Sequence, residues 1–153
     1  MSLDRLTDWP ATLDLGSDHY CLLLLCGCNG LDEGDEWKFA EQALNQGLVG
    51  FAGWGTRADE IETAVDGTIV LRLMESGIEE PEGSIVGTTA HKETIDEALF
   101  YFLECMEPDK NFQGTCGAWV VAAIDMKAQH NYLLERIVQP EQFLSSYVGE
   151  GPG

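Results

Sequence analysis

SIVGTTAHKETIDEALFYF, residues Ser84 to Phe102, is the stretch whose reading decides the fold. Ile85, Val86, Thr88 and Thr89 are β-branched, which predicts a strand over Ser84–Thr89. Thr94 is followed three residues later by Glu97, the spacing of a capping box: the hydroxyl accepts from the amide at 97 and the carboxylate reaches back. Glu93 and Asp96 place negative charge where a helix dipole is positive. Ile95, Ala98, Leu99, Phe102, Leu103 and Met106 then recur at three- and four-residue spacing, one apolar face of a core-facing helix. A strand running into a capped helix is half of a βαβ unit. Ligands of open α/β sheets bind outside the carboxyl ends of the strands. His91 therefore falls where chemistry, if any, would sit.

Working outward, three more apolar runs have strand length. HYCLLLLC, His19–Cys26, is apolar at nearly every position, as for a strand buried on both faces. LVGFAGW, Leu48–Trp54, carries glycines that suggest close backbone approach. AWVVAAI, Ala118–Ile124, is the last. TIVLRLM, Thr68–Met74, reads as a third strand in chain order. Helices are predicted over Glu33–Gln46, from Thr56 to a stop at Gly67, over Met126–Val138, and over Pro140–Tyr147, where proline suits a first turn. Trp37, Ala40 and Leu44 form the apolar side of the first. Residues 1–18 read as a lead-in arm that Leu3, Leu6 and Trp9 pack onto the body. Glu75–Gly83 reads as an acidic linker, and Gly149–Gly153 as a frayed tail.

Alternation of strands and helices argues for an α/β fold: a three-layer sandwich with a five-stranded, mostly parallel sheet and helices on both faces, Rossmann-like or flavodoxin-like. An antiparallel strand at Thr68–Met74 is the competing reading. The whole chain, 1–153, reads as a single domain, long enough to bury a real core.

Charge separates the partner classes. Asp and Glu number 27 against 8 Lys and Arg, for a net charge of −19. Such a field repels phosphate backbones and anionic membranes, so no nucleic-acid and no membrane partner is expected, whereas a basic protein partner is allowed. Five cysteines make an odd count at low density, fitting reduced thiols and a cytoplasmic location. MSLDRLTDWP has no apolar signal-peptide core, and the longest apolar run is far short of a membrane span.

A parallel sheet would bring four loops to one edge: Gly27–Asp32, Gly55–Arg57, Ala90–Glu93 and Asp125–Lys127. The ligand-binding candidates there are Asn29, Trp54, Arg57, Thr89, His91, Lys92 and Asp125. Cys28 and His91 are the catalytic candidates, as a thiolate and its base; the acids Asp32, Glu33, Asp35 and Glu36 around the next helix start oppose a thiolate. Cys26 and Cys28 with His91 and Asp125 offer a zinc-like donor set, but no second cysteine pair exists and no metal or other cofactor is expected. Neither CGCNGLDEG nor GFAGWGT matches a phosphate-loop pattern. Arg57, Lys92 and Lys127 nevertheless gather basic charge at this edge and suggest an anion. Trp54 beside His91 would line a small-molecule pocket. His19 and the surface-placed His130 read as structural, and Trp54 and Trp119 as core.

The strand ending in Thr88–Thr89, with His91 before an acid-capped helix, resembles a motif of a family of short, uncharacterised bacterial α/β proteins. Trp54–Gly55 and Trp9–Pro10 are similar to further elements of it. Ala90 stands where that motif has tryptophan. The resemblance implies a three-layer α/β domain of bacterial origin, with no assigned activity, and singles out His91. Together the readings favour a non-enzymatic module that binds a protein or small ligand, including an inhibitor or immunity-type protein covering a basic partner. The alternative is a small enzyme or anion-binding domain working at the sheet edge around His91.

Overall fold

Every residue from Tyr20 to Cys26 is buried, because this strand is covered on both faces. A computed structural model describes residues 1–77 and 81–150 of the chain, with side chains through 147. The strands are β1 (Ser2–Leu3), β2 (His19–Cys26), β3 (Leu48–Trp54), β4 (Gly87–His91) and β5 (Cys116–Ile124). The helices are α1 (Asp35–Asn45), α2 (Ala58–Ser76), α3 (Ile95–Phe100, continued by a π-helical stretch over Tyr101–Cys105), α4 (Lys127–Ile137) and α5 (Pro140–Glu150).

The five strands form one sheet in the order β1-β5-β2-β3-β4, and every neighbouring pair is parallel. Side chains alternate across it. Tyr20, Leu22 and Leu24 face Phe39, Ala40, Ile61 and Val65 of α1 and α2. Cys21, Leu23 and Leu25 face Leu99, Phe102 and Leu133 of α3 and α4. The result is a three-layer α/β fold. No helix among the described residues is long and apolar enough to cross a membrane.

The reading of Ser84–Phe102 holds in outline, with the strand shifted to Gly87–His91. Thr94 caps α3, its Oγ1 accepting from the Glu97 amide at 3.2 Å. His91 thus closes the strand instead of lying in the loop after it.

TIVLRLM is not a strand. It is the second half of α2, which runs straight through Gly67. The buried residues Ile61, Ala64, Val65 and Thr68 keep the helical period across the glycine, and the Thr68 hydroxyl donates to the Ala64 carbonyl at 2.7 Å. Tertiary packing overrides the β-branched composition. Glu75 and Ser76 of the expected linker are therefore helical; its residues 78–80 lie outside the described residues.

The fifth strand comes from the lead-in arm: Ser2 and Leu3 pair with Ala123 and Ile124 at the sheet edge. Leu6 and Trp9 are buried, Trp9 edge-on to Phe39 at 5.1 Å. The expected frayed tail is helical to Glu150, and 151–153 lie outside the described residues. Trp37 and Trp119, expected to be apolar-side and core residues, are each 43% exposed. His130, expected on a helix surface, is buried.

Candidate functional site

Because all strands are parallel, their carboxyl ends open on one edge. The chain steps from β2 to β3 to β4, then crosses back to place β5 on the other side of β2. Loops leaving β2 and β5 diverge at that point, which is where open α/β sheets form their binding crevice. A cleft of about 610 Å³ lies there, lined by Gly27, Cys28, Trp54, Gly55, Thr56, Asp59, Lys92, Asp125, Met126 and Gln129. A second cavity of about 410 Å³, with Leu44, Ile69, Leu73 and Phe112 in its wall, lies at the amino edge, away from the strand ends that carry chemistry in such folds.

Local backbone geometry forms the floor. Gly55 has φ 118°, and a Cβ there would lie 2.3 Å from the Cys26 carbonyl oxygen. Only glycine allows the chain after β3 to press so closely on the end of β2. The Gly27 amide donates to the Ile124 carbonyl at 3.1 Å, joining the ends of β2 and β5. Asp125 has φ 54°, the one non-glycine residue in the left-handed region among those described. Its amide donates to Leu3 at 2.8 Å, so β1 also braces this loop.

Two of the three basic residues expected at this edge, Arg57 and Lys92, are already engaged, whereas the exposed Lys127 has no partner among the described residues and does not line the cleft. Arg57 donates to both carboxylate oxygens of Glu60, at 2.8 and 2.6 Å, and to the carbonyls of Cys28 and Leu31 at 3.2 and 3.5 Å. Its hydrogen bonds to Glu60 raise its pKa and lower that of Glu60. Arg57 thus holds the Cys28–Leu31 loop and is not among the residues lining the cleft. Lys92 pairs with Asp59 at 2.6 Å, linking the loop after β4 to the first turn of α2 at the cleft wall. That bond raises the pKa of Lys92. The Trp54 indole donates to the Glu93 carbonyl at 2.9 Å.

Of the candidates read from sequence, the structure brings Cys28, Trp54, Lys92 and Asp125 together around the cleft. It leaves Asn29, Arg57, Thr89 and His91 out of the lining. His91 is half-buried: its Nε2 lies 3.1 Å from Thr89 Oγ1, and its ring is 4.6 Å from that of Tyr101. Asn29 is exposed on the loop. Cys26 is buried, its thiol donating to the Gly27 carbonyl, and burial pushes its pKa up to about 12. It is a packed thiol, not a thiolate. Among the described residues, no group of three or more His, Cys, Asp or Glu side chains is gathered as a metal would require.

Thr56 and Met126 fall in two of the loops expected to converge, although neither is among the named candidates, whereas Asp59 and Gln129 lie outside those loops and were missed. The signal was available for Asp59 and Gln129. Each falls in the first turns of a helix that follows a strand end, and such turns border the crevice of a parallel sheet.

Residues 2–138 match the family model described as Domain of unknown function (DUF7684). No curated protein and no solved structure matches the chain.

Proposed function

The chain belongs to the DUF7684 family of domains of unknown function, and from that premise we propose that it binds a small ligand carrying a positive charge and an apolar body, in the cleft at the carboxyl edge of its sheet. The observation that carries this reading is the charge state of the cleft. Its ammonium is matched by Asp59 and the nearby guanidinium by Glu60, while the exposed Asp125 carboxylate has no hydrogen-bond or ion-pair partner among the described residues. Trp54 and Met126 add apolar surface to the same walls. An aromatic face beside a carboxylate suits an amine or a quaternary ammonium group. The net charge of −19 favours cation approach over anion approach. An anion drawn to Lys92 or Arg57 would have to displace Asp59 or Glu60 from its partner, and Lys127, which is unpaired among the described residues, stands outside the cleft lining.

Binding without turnover is the better reading. A catalytic role for His91 requires its imidazole at the ligand, and the ring is packed on Tyr101 outside the cleft lining. Ligand-observed NMR with matched panels of alkylamines, quaternary ammonium compounds, carboxylates and phosphates tests the proposal. The cations bind, they perturb Trp54 fluorescence, and Asp125→Asn weakens them about tenfold. Binding by anions alone, or cation binding indifferent to Asp125→Asn, refutes it.

The charge balance favours a second reading, association with a basic protein in the manner of an inhibitor or immunity-type protein. Complementary charge speeds such encounters and makes them salt-sensitive. Five free thiols agree with a reducing compartment, for which we propose the cytosol. Association rates with a panel of purified basic proteins, measured from low to physiological salt, decide this reading. Uniformly slow rates with no salt dependence count against it.

A further inference from the structure

The outer face of α2 is apolar where a surface helix is ordinarily polar. Val70 is 48% exposed, Leu71 51% and Met74 74%. With Thr63 and Gly67 they occupy positions i, i+4, i+7, i+8 and i+11, a single stripe along the helix. Its length is about 16 Å at 1.5 Å per residue. Trp37 of α1, itself 43% exposed, extends the stripe sideways: its ring lies over Gly67, where a Cβ would fall 2.8 Å from it. Singly exposed apolar residues are ordinary, but a contiguous stripe of them marks a contact surface. At 100° per residue, Asp66 stands on one flank of the stripe and Glu75 on the other. Both are exposed and neither forms an ion pair among the described residues.

We propose that this face docks a basic amphipathic helix of another protein. The strip matches three turns of a partner helix laying its apolar side down, and acidic flanks on both sides fit Lys and Arg at its borders. A second copy of this chain would bring a like charge of −19 against the same acidic rim. For the sign of the partner's charge the proposal rests on the second reading above. It is independent of the cleft, which lies at the carboxyl edge of the sheet.

The probe is a synthetic helical peptide of about 18 residues, some five turns, with leucines on one face and lysines on the other. A companion peptide keeps the lysines and carries serine at the apolar positions. Fluorescence anisotropy gives affinities, and amide chemical shifts map the site. The amphipathic peptide shifts residues around Trp37, Val70, Leu71 and Met74. Leu71→Glu with Met74→Glu weakens it about tenfold or more, while leaving thermal stability unchanged because both positions are exposed. The serine peptide binds the native protein no better than it binds the variant. Shifts mapping elsewhere, or an affinity indifferent to the double variant, overturn the docking face and leave the basic-partner reading standing. No binding even at low salt overturns the docking face, and the rates with the panel of basic proteins then decide the basic-partner reading separately. A dimer in native mass spectrometry that the double variant abolishes makes a second copy the occupant, which also overturns the proposal.

Discussion

Trp54 donates its indole N–H to the backbone carbonyl of Glu93 at 2.9 Å, tying the end of β3 to the loop that follows β4. The same loop carries Lys92, whose pairing with Asp59 reaches α2. One wall of the cleft is therefore held by two contacts, one from β3 and one from α2. Trp54→Phe keeps most of the ring and removes the donor. Stability falls by about 1 kcal/mol, and amide exchange at residues 92–94 speeds up while that of β2 is unchanged. Unaltered exchange there would show that the loop is held by other contacts.

Gly55 tolerates no side chain. Its φ is 118°, and a Cβ at this position would come within 2.3 Å of a backbone oxygen, so nothing flexible is there to yield. Gly55→Ala lowers stability in urea by about 3 kcal/mol, from strain and the forced separation of β2 and β3. Gly114→Ala, which meets nothing within 4 Å, serves as the control and changes stability little.

The thiols divide by burial. Cys28 and Cys105 are exposed, whereas Cys21 and Cys26 are buried and burial raises both of their pKa values, Cys26 to about 12. The thiolate is the reactive form. Brief iodoacetamide treatment at pH 8 therefore labels Cys28 and Cys105 in the native protein, and reaches Cys21 and Cys26 only after denaturation, as read by peptide mass spectrometry. A cleft ligand protects Cys28 and leaves Cys105 unchanged.

His130 gives stability a pH dependence of known sign. Burial, and then the amino group of Met1 at 2.9 Å from Nε2, hold its pKa below the ordinary 6.5. The unfolded chain thus takes up the proton first as pH falls. The contribution of neutral His130 is full above pH 6.5 and is lost as pH drops below that value toward the folded pKa. Urea denaturation of native protein and His130→Gln, compared from pH 8 to pH 5, shows a difference that shrinks with acid. A difference independent of pH would mean that His130 takes up its proton at the same pH in the folded and unfolded states.

What could be read from the residues depended on how locally each element was determined. His19–Cys26 and Leu48–Trp54 were legible to the residue because both faces of these strands are buried and the apolar run ends where burial ends. Thr68–Met74 was misread because β-branched composition and Gly67 both argued against helix. What keeps α2 helical is non-local: Trp37 covers the glycine, and Arg72 reaches Glu41 at 3.0 Å and Asn45 at 2.7 Å. Ser2–Leu3 is a strand only because β5 offers it an edge some 120 residues away in sequence. The convergence of Cys28, Trp54, Lys92 and Asp125 followed from parallel topology alone. Which basic residues were neutralised did not, since side-chain pairing across elements leaves no periodic trace.

The sheet's two margins have a consequence for how the molecule behaves in a crowd. One outer strand offers two residues and the other five. Sheet-to-sheet joining needs a long, flat row of open amides and carbonyls, and neither margin supplies one. The like charge of −19 on every copy further opposes edge-to-edge joining of folded molecules, so the segment most suited to cross-β stacking, the apolar strand His19–Cys26, is bared only on unfolding.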